Sequence, residues 1–146
     1  MLFRSGAALT PSEMLTSNIR LWNSEKSRLR REHDGESSPR VVQIAGSDPA
    51  MMAEAARLNV EEGAQIIDIN MGCPAKKVLQ KEAGSALRKD EKLVKQILSA
   101  VTAAGEVPVT IIIRTGGDQD NRHGATSAKI AERARNLARR VHGRTL

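Results

Sequence analysis

The sequence is nearly without aromatic rings. Phe3 and Trp22 are its only two, and it holds no Tyr. A core built without rings relies on Ile, Val, Leu and Ala and buries less area per residue, so modest stability is expected. The single cysteine, Cys73, excludes an internal disulfide framework. It fits a reducing compartment, with the cytoplasm as the default location. No apolar run approaches the ~20 residues of a membrane span. The opening Met1-Leu2-Phe3-Arg4-Ser5-Gly6 is too short for a signal peptide. No glycine-rich dinucleotide fingerprint follows any apolar run, which argues against a Rossmann half. No His, Cys, Asp or Glu cluster has metal-ligand spacing, and His33 and His123 fall in loop-like stretches without partners.

What is present fits one ordinary domain. The chain has 146 residues, 40% hydrophobic and 27% charged. Its 23 basic and 17 acidic residues leave a formal charge of +6, with a pI near 10.0. That balance suggests a polyanionic partner, nucleic acid first, or else a generic solvated basic surface.

In chain order, Ala7 to Met14 could be a strand, although Pro11 keeps it from a central ladder position. Ser17 to Arg31 is mixed in charge and reads as partly helical and exposed. Glu32 to Pro39 has the composition of a loop. Val41 to Gly46 is a buried-type strand. Asp48 is then an N-cap with Pro49 at the first helical position. Helix formers run from Met51 to Glu62, Gly63 stops them, and Gln65 to Asn70 is the next strand. This strand–helix–strand order is a βαβ unit. Lys76 to Lys89 is polar. Asp90 caps a helix whose Leu93, Val94, Ile97, Leu98 and Val101 repeat at helical spacing, and Gly105 ends it. Val107 to Thr115 is a strand and Gly116 to Thr126 a loop. Ser127 to Arg140 is helix-like with a thin apolar stripe.

Continuous apolar strands alternating with amphipathic helices predict a parallel α/β sheet. Asp68 and Asn70 share one strand face, Ile67 and Ile69 the other. Helix-covered sheets have apolar outer faces, so the polar face should look into a barrel or crevice. A (β/α)8 barrel is the better fit, and a whole one takes ~250 residues, about twice this chain.

The strand from Ile66 stops at Gly72-Cys73-Pro74, presenting a lone thiol, an amide (Asn70) and two lysines, Lys76 and Lys77. Such a strand end reads as the working end of an enzyme. The block Asn70-Met71-Gly72-Cys73-Pro74-Ala75-Lys76-Lys77-Val78 resembles the tRNA-dihydrouridine synthase family, its bacterial B-type members in particular. Supporting blocks follow in the family's order: Ser12-Glu13-Met14, Val42-Gln43-Ile44-Ala45-Gly46-Ser47-Asp48-Pro49, Gly63-Ala64-Gln65-Ile66-Ile67-Asp68-Ile69, Gly84-Ser85-Ala86-Leu87, Ile113-Arg114-Thr115-Gly116 and His142-Gly143-Arg144-Thr145.

The resemblance implies an α/β, flavin-binding TIM barrel over residues 1–146. It implies a partial barrel, roughly the strand 2 to strand 6 region. The family's first strand, late strands and C-terminal helical domain are expected to be missing. It implies an enzyme that reduces uridine in tRNA to 5,6-dihydrouridine, using FMN recharged by NADPH. The C5–C6 bond then needs a hydride at C6 and a proton at C5. A thiol of free pKa ~8.5 is mostly protonated near neutral pH yet acidic enough to give up that proton. By the family pattern Cys73 is this acid, and Gln43, Asn70 and His142 bind the flavin. Lys76, Lys77 and Arg114 face the tRNA.

Two departures stand out. Two residues before the family arginine, matched by Arg114, the family carries a lysine that contacts the flavin ring. Here it is Ile112, which cannot donate to a ring carbonyl. Before His142, the family's Ala-Leu-Thr-Val type strand is replaced by Leu137-Ala138-Arg139-Arg140-Val141, so the support of His142 is expected to be eroded. From Lys129 to Arg144 there are six basic residues and one acid, Glu132. They could track phosphates, but the absence of stacking aromatics favours a solvated helix face. The alternative reading of the whole chain is therefore a catalytically inactive remnant that binds RNA weakly or assembles with a partner. Self-association through open sheet edges is expected in either case.

Overall fold

The computed structural model describes residues 10–31, 38–72, 90–114, 129 and 138–142. Strands β1 (Leu15–Thr16), β2 (Val41–Ala45), β3 (Ile66–Met71), β4 (Val109–Arg114) and β5 (Ala138–His142) form one sheet. Every neighbouring pair is parallel, and the strands lie in chain order. A doubly wound sheet reverses its order at a switch point. A (β/α) barrel sets each new strand beside the last. The observed order is the barrel's, and the chain forms a sector of a (β/α)8 barrel.

Helix α1 (Glu25–Arg31) follows a 3-10 turn at Ile19–Leu21. Helix α2 (Pro49–Glu61) joins β2 to β3, and helix α3 (Glu91–Ala103) precedes β4. The start of α2 is fixed by Asp48, whose side chain accepts from the Met51 N–H at 2.8 Å, with Pro49 pre-set for the first turn. Its end is a Schellman motif. Gly63 has φ +100°, its N–H donates to the Val60 carbonyl, and the Ala64 N–H donates to the Asn59 carbonyl. Helix α3 is capped in the same way, Asp90 accepting from the Leu93 N–H at 2.9 Å.

Both helices bury one stripe against one face of the sheet. From α2 it is Met52, Ala55, Ala56 and Asn59; from α3 it is Val94, Ile97, Leu98 and Val101. They meet Val42, Ile44, Ile67, Ile69, Met71, Val109, Ile111 and Ile113, the alternate strand residues. Ile97, Leu98, Ile69 and Ile111 are completely buried, worth roughly 1.5–3 kcal/mol each. The helix-covered face is thus apolar, as parity predicts. No helix among the described residues is long and apolar enough to cross a membrane.

The structure corrects three expectations. The first described strand is Leu15–Thr16; of the described part of Ala7 to Met14, residues 10–14, Pro11 makes an isolated bridge to Val41 and no strand forms. Trp22 is buried rather than part of an exposed segment. Its Nε1 donates to the Thr16 carbonyl at 2.7 Å and Arg31 stacks over its ring at 4.4 Å. Arg31 also forms an ion pair with Glu62, so the ring ties α1 to the end of α2. Third, Ala138 to Arg140, read as the end of a helix, and the eroded strand before His142 give way, while Lys129 within Ser127 to Arg140 is helical as expected. Ala138 to His142 is a strand, paired with β4 along its whole length. The ladder that β4 offers outweighs the helix propensity of Ala and Arg there. Most of the rest of Ser127 to Arg140, and the polar stretch Lys76 to Lys89, lie outside the described residues.

Candidate active site

The face of the sheet away from the helices carries the polar residues. Strand register arranges them in rows. Gln43 on β2, Asp68 on β3, Thr110 on β4 and Ala138 on β5 stand abreast. The next row toward the strand ends holds Asn70, Ile112 and Arg140, and the row beyond holds Arg114 and His142. In a parallel barrel this end, where the strands finish, is where ligands bind.

The first row is a hydrogen-bonded cluster. Asp68 is fully buried, and its two carboxyl oxygens take different donors. Gln43 Nε2 donates to Oδ2 at 2.7 Å and Thr110 Oγ1 donates to Oδ1 at 2.5 Å. A buried carboxyl without such partners would be costly. The chain of contacts then climbs a row. Asn70 Nδ2 donates to Gln43 Oε1 at 2.8 Å, and Asn70 Oδ1 accepts the Gly72 N–H at 3.1 Å. Gly72 immediately precedes Cys73 in sequence. The backbone of Gln43 is held as well, its N–H donating to Ser12 Oγ at 3.1 Å. Its side chain is only 9% exposed, and among the described residues its second amide N–H has no partner.

Of the residues expected from sequence, Gln43 and Asn70 are brought into direct contact. Arg114 and His142 fall side by side in register, one row beyond Asn70. Cys73, Lys76 and Lys77 lie outside the described residues. Ile112 is half-buried and level with Asn70, at the edge of the polar cluster. Sequence reasoning missed two members, Asp68 as a bonded centre and Thr110. The signal for Asp68 was there: an acidic residue inside a β-branched strand, in phase with Asn70. Thr110 carries no such signal, because threonine is an ordinary strand residue.

A parallel sheet in barrel order, with a carboxamide–carboxyl cluster beneath its strand ends, belongs to the class of (β/α) barrels. Comparison with known proteins narrows the class. The family model for dihydrouridine synthase matches residues 1–146, and the chain belongs to that family. It is 68% identical over 142 residues to the tRNA-dihydrouridine synthase B of Pseudomonas aeruginosa, covering 97% of this chain and 43% of the relative. It is 68% identical over 140 residues to that of Pseudomonas syringae pv. tomato, covering 96% and 42%. With that of Shewanella oneidensis it shares 57% identity over 145 residues, covering 99% and 45%. The chain thus spans less than half the length of these relatives.

Proposed function

We propose that this chain forms the base-reducing side of a flavin-dependent tRNA-dihydrouridine synthase, an oxidoreductase that converts uridine in tRNA to 5,6-dihydrouridine. FMN and NADPH are its cofactor and reductant, and the cytoplasm its location. The observation that carries the reading is the Gln43–Asp68–Asn70 cluster beneath the strand end that leads into Cys73. The family and the relatives' names support it.

The residues suit a neutral, planar ring. Among the described residues Gln43 keeps one amide N–H without a partner, which matches an acceptor on a ring edge. Asn70 stands one row above it, and His142 a row further on. These three hold the flavin. Bound FMN supplies the hydride chemistry, as a cofactor must. Cys73 gives its thiol proton to C5 of the uracil, and the resulting thiolate is reprotonated from solvent. Lys76, Lys77 and Arg114 hold the tRNA, drawing on the formal charge of +6.

The test is product formation. The chain is incubated anaerobically with FMN, NADPH and tRNA lacking dihydrouridine, and the nucleosides are read by mass spectrometry. Dihydrouridine is expected, with a loss of roughly 100-fold or more in Cys73→Ala, the usual scale for removing a general acid. A second reading, a remnant without catalysis, rests on Ile112. That position beside Asn70 supplies no donor and no charge to a reduced ring. Absence of product with intact FMN binding would select it.

A further inference from the structure

We propose that Arg140 is a further ligand-binding residue of this site, supplying positive charge at the level of Asn70, where Ile112 brings only hydrocarbon. The ligand class is a flat ring that gains negative charge on reduction, and in this the proposal rests on the flavin reading above. Register places the residue. Asn70 on β3 is level with Ile112 on β4, and Ile112 is level with Arg140 on β5. Alternation sets all three on the face away from the helices, since Ile111 and Ile113, on either side of Ile112, belong to the helix-covered core. One row thus reads amide, hydrocarbon, cation. Arg140 is one strand spacing from Ile112, ~4.8 Å, which is shorter than an arginine side chain.

The other charged or titratable residues of β3, β4 and β5 on this face stand in different rows. Arg114 and His142 are one row nearer the strand ends. Asp68 is one row deeper and two strands away, where Gln43 and Thr110 donate to it. A cation on the inner face of a barrel is costly unless something accepts from it. Arginine is also not among the residues that strands favour. The level of Asn70 selects the acceptor. A flat ring lying on Gln43 and Asn70 comes to this row, whereas an RNA phosphate at the mouth meets the row of Arg114 and His142 first. Hydride from NADPH brings the ring two electrons and one proton, NADP+ leaves, and the ring then bears one negative charge. A guanidinium at its level stabilises the reduced form over the oxidised one and so raises the reduction potential.

The test measures the affinity and reduction potential of FMN bound to the full chain, with circular dichroism as the report on folding. Arg140→Gln should lower the preference for reduced over oxidised FMN roughly tenfold, a fall of about 30 mV in the two-electron potential. Arg140→Thr, a residue that strands favour, is a second neutral variant and should fall with it. Arg140→Lys keeps the charge and should stay within about threefold of wild type. Adding Ile112→Lys to Arg140→Gln returns a cation one strand away and should recover most of the loss. Bound FMN with an unmoved potential in the neutral variants overturns the proposal and leaves the flavin reading standing. A fall that Ile112→Lys does not reverse marks a structural role and overturns it too. So does weaker tRNA binding in the neutral variants with the potential unmoved, which marks a phosphate contact. Wild type that retains no FMN overturns the flavin reading and the proposal with it.

Discussion

Gln43 is bonded at its backbone N–H, its side-chain nitrogen and its side-chain oxygen, by groups from two separate stretches of chain. Such a residue has one conformation to offer, and a ligand need not spend affinity ordering it. Ile112 is the counterpart. It stands level with Asn70 on one side and with Arg140 on the other, and brings only hydrocarbon. Ile112→Lys should tighten FMN binding roughly tenfold, the worth of one hydrogen bond from a charged donor. Fluorescence quenching titration reads this directly, and unchanged or weaker binding would show that the cluster does not face the flavin.

At the scale of elements, the end of β2 packs closely on the turn after β1. A Cβ on Gly46 would collide with Ser17 Oγ and lie 2.8 Å from Ser17 Cβ and 2.9 Å from Met52 Sδ. Gly46→Ala should therefore cost about 1–3 kcal/mol in denaturant unfolding. Adding Ser17→Gly, which removes two of the three clashes, should recover a large part. Failure of the second change to help would place the cost elsewhere. Much at this scale was legible beforehand. Asp48-Pro49 and Gly63 bracket α2, Asp90 and the Leu93-to-Val101 stripe specify α3, and the β-branched runs locate β2, β3 and β4. Parity within β3 foretold the polar inner face. The strand β5 was not legible, because Ala138, Arg139 and Arg140 suit a helix and only pairing to β4 makes them a strand. The bonding of Asp68 was equally hidden, since it depends on Thr110 from a strand 42 residues away in sequence.

Across the molecule, one face of a parallel sheet is sealed by α2 and α3, and the other holds the polar rows. The order of the described strands ends on β1 at one side and β5 at the other. Strand edges of this kind pair with other chains unless covered. The isolated 146-residue chain should sediment as a dimer or larger species at micromolar concentration. A monodisperse monomer would contradict this and would mean that both edges are shielded.

The proposed role of the Gln43–Asp68–Asn70 cluster is to hold a flavin beside Cys73. Its most direct test is to mix the purified chain with FMN, remove the excess, and follow retained absorbance and fluorescence, then add NADPH without oxygen. Retention in wild type, bleaching by NADPH, and loss of retention by roughly tenfold or more in Gln43→Ala are the predicted results. No retained flavin, or retention indifferent to Gln43, would contradict it.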